Sequence, residues 1–199
     1  MRLIKLAAAV SATAALIATG SIWSSASAVT ITGTNGADEI TGTNRADRIF
    51  AHGGSDTVVA RGGNDKVFAG DGRRDFVRLG PGNDTMFGGD GRDSVRGGDG
   101  DDSPHGQGGK DVLYTGQGAD SLYGGPASDY VYGTQGNDSL YPGRGRDFAI
   151  GALGNDSIHV NRDGRKDLLD CGPGDDTVYA NGGLGPRDHL QFCETVVTT

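Results

Sequence analysis

The sequence predicts an all-β chain wound as a parallel β-roll, a β-helix solenoid of Gly- and Asp-rich nonapeptide repeats. Three observations predict it. Asp recurs every nine residues through most of the chain. Gly recurs at fixed offsets before each Asp, and a mostly apolar residue recurs two places after it.

The amino-terminal segment stands outside this pattern. Arg2 and Lys5 give a positive start, Leu6 to Ile17 is Ala-rich and apolar, and Ala26-Ser27-Ala28 has the small-x-small form of a signal-peptidase site. Residues 1–28 are therefore read as a signal peptide cleaved after Ala28, which makes the mature chain secreted. The apolar run is too short for a membrane anchor, and no later stretch is long and apolar enough for one.

The charge is −8 over 199 residues, and loss of Arg2 and Lys5 makes it more negative. This balance disfavours nucleic acid as the main partner and favours cations. The acid is also unevenly chosen, with 24 Asp but only Glu39 and Glu194 as Glu. A merely solubilising surface would use both. Asp is preferred where a short carboxylate must sit in a turn beside the backbone. With 37 Gly and few aliphatic residues, the composition alone suggests a disordered chain, so the period decides.

The Asp frame opens with Asp38, Asp47, Asp56 and Asp65. One inserted residue then gives Asp75, and Asp84, Asp93, Asp102, Asp111, Asp120, Asp129, Asp138, Asp147 and Asp156 follow without a slip. The register loosens to Asp167, Asp176 and Asp188, so that 17 of the 24 Asp share the frame. Gly usually lies two residues before the Asp, and Gly or another small residue four or five before it. Two residues after come Ile40, Ile49, Val58, Val67, Val77, Met86, Val95, Leu113, Leu122, Val131, Leu140, Ile158, Leu169, Val178 and Leu190. A flexible acidic linker would not hold an apolar residue in phase.

The best copies, Gly88-Gly89-Asp90-Gly91-Arg92-Asp93-Ser94-Val95 and Gly97-Gly98-Asp99-Gly100-Asp101-Asp102, resemble the RTX (hemolysin-type) calcium-binding nonapeptide repeat, G-G-x-G-x-D-x-U-x with U large and apolar. The resemblance covers roughly Gly33 to Leu190. The ending, Asp170-Cys171-Gly172-Pro173-Gly174-Asp175-Asp176 leading to Cys193-Glu194-Thr195-Val196, is similar to that of small exported actinobacterial calcium-binding repeat proteins. The implied organisation is a calcium-binding roll over residues 29–165, with degenerate last repeats and a cap over 166–199.

The resemblance divides each repeat into a six-residue turn and a three-residue strand, two repeats making one coil of 18 residues. Its ligands, carried over, are the in-frame Asp side chains from Asp38 to Asp65 and from Asp84 to Asp156, with main-chain carbonyls of Gly89, Gly91, Gly98, Gly100, Gly109, Gly118 and Gly136. Hard oxygen donors suit Ca²⁺, and the frame holds no nitrogen or sulfur ligand that would suit zinc or copper. Turns on one edge repeat at the strand spacing of about 4.8 Å. An ion is then shared by Asp residues 18 apart, as Asp84 with Asp102 or Asp38 with Asp56. The seventeen frames give about eight coils. A thin core and aligned carboxylates together make Ca²⁺ binding and folding one event.

Several positions depart from the pattern. Arg45, Arg73, Ala127 and Arg165 replace the Gly two before Asp. Pro104 takes an inward strand position, where a local break is expected. Ala149 thins the core, and the insertions near Arg73, after Asp156 and after Asp176 are expected to bulge. Two Cys in an exported chain suggest a disulfide, Cys171 to Cys193, pinning the tail across the last coil. The other use of two Cys, a metal or catalytic pair, has no His at ligand spacing to support it. His52, His105, His159 and His189 are scattered and read as surface residues, and no catalytic motif is present.

Three residues after the Asp stand Tyr114, Tyr123, Tyr132 and Tyr141, expected to stack 18 apart, with Phe50 and Phe68 as a similar pair. Cross-strand packing explains them more simply than a sugar-binding platform. The leading functional expectation is a non-enzymatic extracellular calcium-binding protein. An adhesion or cell-envelope glycan-binding protein with structural calcium is the alternative, and a β-helix enzyme acting on acidic polysaccharide lacks any carboxylate cluster outside the frame.

Overall fold

The computed structural model describes residues 28–198, so all but the last residue of the expected signal peptide lies outside the described residues. The described chain holds no helix. Its nineteen strands, from Val29–Thr32 to Thr195–Thr198, fall alternately into a ten-stranded and a nine-stranded sheet. Every pairing is parallel, which gives a β-solenoid of about nine turns. One strand more than the Asp frame supplies precedes it, since Val29–Thr32 pairs with Asp47–Phe50 in register Ile31↔Ile49.

The register is the 18-residue period itself. Val95, Leu113, Val131 and Ala149 align across successive strands of the nine-stranded sheet, as do Leu122 and Leu140 in the other. The residue two after each Asp points into the space between the sheets, and from Ile40 to Val178 all of those named above are buried; Leu190, in the last coil, is half-buried. Ala149 is fully buried and leaves the register intact. The core has a second stripe, four places after the Asp, of smaller side chains: Ala51, Ala60, Ala69, Leu79, Val160, Cys171 and Ala180.

Two expectations about the strands need correction. In the middle of the roll they exceed three residues, Thr85–Gly91 and Ser103–Gly109 having seven each. The backbone of the turn also stacks on its counterpart 18 residues away, so Gly89↔Gln107 and Gly91↔Gly109 extend the ladder. Nor does Pro104 break the roll. It is buried, and Met86↔Pro104 sits in an unbroken run from Thr85↔Ser103 to Phe87↔His105. Ser103 N donates to Asp84 O, so alternation points the next nitrogen at the following strand, Ser121–Pro126. The missing N–H is felt only there, where the pairing reduces to Tyr123↔His105.

The insertions are absorbed as expected, in the turns. Asp56 and Asp75 are 19 apart, yet Val58↔Val77 remain in register; Asp156 and Asp176 are 20 apart, yet Ile158↔Val178 do too. The bridge Cys171–Cys193 is formed, with Cα atoms 5.2 Å apart. Cys171 follows Leu168–Asp170 and Cys193 follows His189–Gln191, neighbours at the end of the nine-stranded sheet, so the disulfide ties the last strand of that sheet to the one before.

Aromatic rings form a longer column than the pairs expected. Phe50, Phe68, Phe87, His105, Tyr123, Tyr141, His159 and Tyr179 stack in succession on the outer face of the ten-stranded sheet, with centroids 4.3 to 5.3 Å apart. Tyr114 on Tyr132 is a separate pair on the other sheet. His105 and His159 are therefore not scattered surface residues. They are rungs of this column, and burial lowers their pKa.

Candidate metal sites in the turns

The in-frame Asp side chains fold inward at the end of each turn, and from Asp47 to Asp176 all are buried. From Asp56 onward one oxygen of each has a fixed task. Oδ1 accepts the main-chain N–H of the in-frame Asp one coil earlier: Asp84 N to Asp102 Oδ1 at 2.9 Å, Asp93 to Asp111 at 2.8 Å, Asp102 to Asp120 at 2.7 Å and Asp138 to Asp156 at 2.8 Å. The expected pairs 18 apart are thus real neighbours, joined by amide and carboxylate.

The succession runs further than the unbroken part of the frame. On one edge it passes through Asp75 and Asp167 to Asp188, whose Oδ1 accepts Asp167 N at 3.1 Å; on the other it passes through Asp176 and ends on Glu194, whose Oε2 accepts Asp176 N at 3.0 Å. Sequence reasoning placed these Asp in the frame but left them out of the ligand set, and it missed Glu194 as a frame residue. The available signal was Val196, an apolar residue two places after an acid that stands 18 residues beyond Asp176.

The other oxygen is the notable one. Oδ2 of Asp56, Asp65, Asp75, Asp84, Asp93, Asp102, Asp111, Asp129, Asp138, Asp147, Asp156 and Asp176 is buried without a hydrogen-bond partner, whereas the Asp120 carboxyl has the Thr115 hydroxyl and Gly116 N–H beside it. A buried carboxylate oxygen left unpaired is costly. Asp38 and Asp47 differ: Oδ2 of each accepts the main-chain N–H of a Thr four residues earlier, Thr34 or Thr43, at 2.6 Å, and that Thr's hydroxyl as well.

Main-chain oxygen comes close to these orphaned atoms. A Cβ placed on Gly106 would lie 2.5 Å from Asp111 Oδ2 and 2.7 Å from Gly124 O. The two oxygens converge on a space that exists only because residue 106 is Gly. Gly88 beside Asp93, Gly124 beside Asp129, Gly133 beside Asp138 and Gly151 beside Asp156 repeat the arrangement. This Gly stands five before the Asp. The expected donors Gly89 and Gly98 stand four before, and Gly91, Gly100, Gly109, Gly118 and Gly136 two before. All seven are in the left-handed region, which lets successive turns close on one another: Gly100 O faces Gly118, and Gly118 O faces Gly136.

Burial pushes the carboxyls of Asp65, Asp93, Asp102, Asp129, Asp138 and Asp147 up to about 7, and those of Asp84, Asp111 and Asp156 up to about 6. The N–H donated from the preceding coil pulls each back down. Neighbouring carboxylates add to the rise at several, Asp102 among them, which faces Asp84 and Asp120. Column and burial together ask for a compensating positive charge. No group of three or more His, Cys, Asp or Glu side chains converges among the described residues, so a cation here must take most of its oxygens from the main chain. That is the donor set of a hard cation such as Ca²⁺.

A family model of the RTX calcium-binding nonapeptide repeat matches the sequence in four copies, at residues 32–67, 69–104, 105–140 and 141–163. The chain belongs to the RTX calcium-binding repeat family. Each of the first three matched copies spans four nonapeptides, which is two coils of the RTX roll. No curated protein matches the chain. Beyond residue 163 the RTX turns lengthen, and the frame closes through Asp188, whose Oδ2 accepts Gly185 N, and through Glu194. Arg45, Arg73 and Arg165, which replace an RTX glycine, are all exposed.

Proposed function

We propose that this is an exported, non-enzymatic calcium-binding protein whose RTX roll folds as its turns take up Ca²⁺. The column of orphaned, buried Oδ2 atoms carries the reading. Without a cation these atoms make the folded state expensive; with one shared between successive coils they become its main cohesion. The ligands assigned are the in-frame Asp carboxylates, best where a Gly stands five before, as at Asp93, Asp102, Asp111, Asp129, Asp138 and Asp156, together with main-chain carbonyls of the glycine turns. The proposed bounds are residues 1–28 for the export signal, 29–165 for the roll and 166–199 for its cap.

The test is a Ca²⁺ titration of the chelated chain followed by circular dichroism. Disorder is expected in chelator, and β structure on adding Ca²⁺ with a midpoint of ~10⁻⁴–10⁻³ M, the range of extracellular modules. Mg²⁺, which demands tighter octahedral geometry, is expected to substitute poorly. An unchanged spectrum after chelation would overturn the coupling. The alternative, adhesion through the Tyr rows, finds less support. Those rings lie face to face, so Tyr123 and Tyr141 spend their faces on each other and on His105 and His159.

A further inference from the structure

The residue just before each in-frame Asp has two different lives on the two edges of the roll. On the edge leading into the ten-stranded sheet it is Ala46 or Ala119 in two coils and otherwise Asn or Asp as far as Asp176: Asn64, Asn83, Asp101, Asn137, Asn155 and Asp175. Their side chains build the turn: Asn64 Oδ1 accepts Asn83 N, Asn83 Oδ1 accepts Asp101 N, and Asn137 Oδ1 accepts Asn155 N. On the other edge, where Ala37 and Ser55 come first, the same position from Asp75 to Asp167 holds Arg74, Arg92, Lys110, Ser128, Arg146 and Lys166. Arg and Lys have no acceptor to offer the next coil, so the turn does not require them. All five cations are exposed, and among the described residues none forms an ion pair with a carboxylate.

In-register like charges one coil apart destabilise a sheet protein, and this chain has a net charge of −8. An unpaired basic row on such a chain calls for an anionic partner. The row flanks an open groove of about 610 Å³ lined by Arg74, Arg92, Lys110 and Arg146 and by Phe76, Val112, Tyr130 and Phe148, with Ser94, Ser128 and the buried Asp93 between them. Tyr130 is 55% exposed, Phe76 48% and Val112 44%. These are among the most exposed large apolar side chains described, set beside a line of positive charge.

We infer that this groove binds a linear acidic polysaccharide, its sugar carboxylates on the Arg74–Arg92–Lys110–Arg146 row and its apolar ring faces over exposed Phe76 and Val112 and the ring edges of Tyr130 and Phe148, which stack on each other with centroids 5.3 Å apart. The strand register spaces Arg74, Arg92 and Lys110 by about 4.8 Å, one coil each, and sets Arg146 two coils beyond Lys110 with Ser128 between them; one coil is on the scale of one ring of an extended glycan with one charge per ring. Duplex DNA carries a phosphate every ~3.4 Å along each strand, out of step with the roll. A straight single row also suits one extended chain better than a lipid plane.

The experiment is calorimetric titration of the Ca²⁺-saturated protein with a short oligogalacturonate, its fully methyl-esterified form, and a single-stranded oligonucleotide of equal charge. Short oligomers avoid cross-linking of the glycan by Ca²⁺ itself. The acidic sugar is expected to bind, and esterification is expected to weaken it tenfold or more. The pair Arg92→Gln with Lys110→Gln is expected to cost a similar factor. The pair Arg48→Gln with Lys66→Gln, which removes equal charge from the opposite sheet, is expected to change affinity less than about twofold. Circular dichroism at saturating Ca²⁺ verifies that both pairs keep the roll. Equal losses from the two pairs, equal binding of the ester, or an oligonucleotide that binds as tightly would each overturn the assignment.

Discussion

The amide of Asp84 donates to Asp102 Oδ1 at 2.9 Å, while Asp102 Oδ2, buried in the same turn, has no partner. One carboxylate thus stitches a coil to its predecessor and also presents an unmatched charge.

Replacing Asp102 by Ala removes the acceptor for Asp84 N and one anionic oxygen from the middle of the column. The coil at Asp38 loses less, since Asp38 accepts no amide from an earlier in-frame Asp and its Oδ2 is already satisfied by Thr34. Nearest-neighbour coupling in a solenoid makes a central loss costlier, because it divides the stack into shorter pieces. Asp102→Ala is therefore expected to raise the Ca²⁺ midpoint for folding more than Asp38→Ala does. Paired titrations followed by circular dichroism decide it, and equal shifts would refute sharing of ions between coils.

The raised carboxyls also set a pH dependence for the metal-free roll. In the unfolded chain these groups titrate near 3.8, whereas in the metal-free roll those of Asp93, Asp102 and Asp138 titrate at about 7. The folded state binds more protons between those limits, so its stability is fully present below the lower value and is lost as pH rises through the upper. Chelated protein is accordingly expected to gain β structure when taken from pH 8 to pH ~5, with protons standing in for the cation. The Ca²⁺ midpoint is expected to fall over the rising part of the same window, because fewer protons compete. Loss of ellipticity in the chelated chain on that acidification is the contrary result.

How much of this could be read from the chain depended on which period carried the information. The Asp, the inward Ile, Val and Leu, and the turn glycines repeat at nine, and nine is visible by eye. The two edges and two faces of the roll repeat at eighteen. At nine, Arg92 alternates with Asp101 and looks like noise; at eighteen, Arg74, Arg92 and Lys110 form one row and Asn64, Asn83 and Asp101 another. His105 and His159 likewise became rungs of an aromatic column only once odd and even repeats were separated into sheets. Glu194 was obscured by its residue type, and Pro104 by a rule about lost N–H groups that holds for one of its two neighbouring strands.

The Cys171–Cys193 bridge closes a loop across a separation of 22 residues between the last two strands of the nine-stranded sheet. In the chain-entropy account such a closure stabilises by roughly 3 kcal/mol. Reduction, or the pair Cys171→Ala with Cys193→Ala, is expected to lower Tm at saturating Ca²⁺ and to loosen the end of the roll first. Hydrogen exchange should show the loss of protection concentrated in Leu168–Asp170 and His189–Gln191. Uniform loss along the chain would show that the bridge is not a local clamp.

Ala127 offers a test of opposite sign. It stands where the repeat calls for Gly, two before Asp129, and its φ is +94°, a region that L residues with a Cβ rarely adopt. Its carbonyl faces Gly145 in the next coil, so the turn cannot relax by rotating away without opening that contact. Holding Ala in the left-handed region costs about 1–2 kcal/mol. Gly would remove that cost but loses about 0.5–1 kcal/mol more conformational freedom on folding. The strain is the larger of the two, so Ala127→Gly is expected to stabilise the Ca²⁺-bound roll by roughly 0.5–1 kcal/mol, read as a rise in Tm. The same substitution at Ala149, which is buried in a strand and absent from the left-handed set, has no strain to release and is expected to destabilise. A fall in Tm for Ala127→Gly comparable to that for Ala149→Gly would mean that the turn before Asp129 stores no strain.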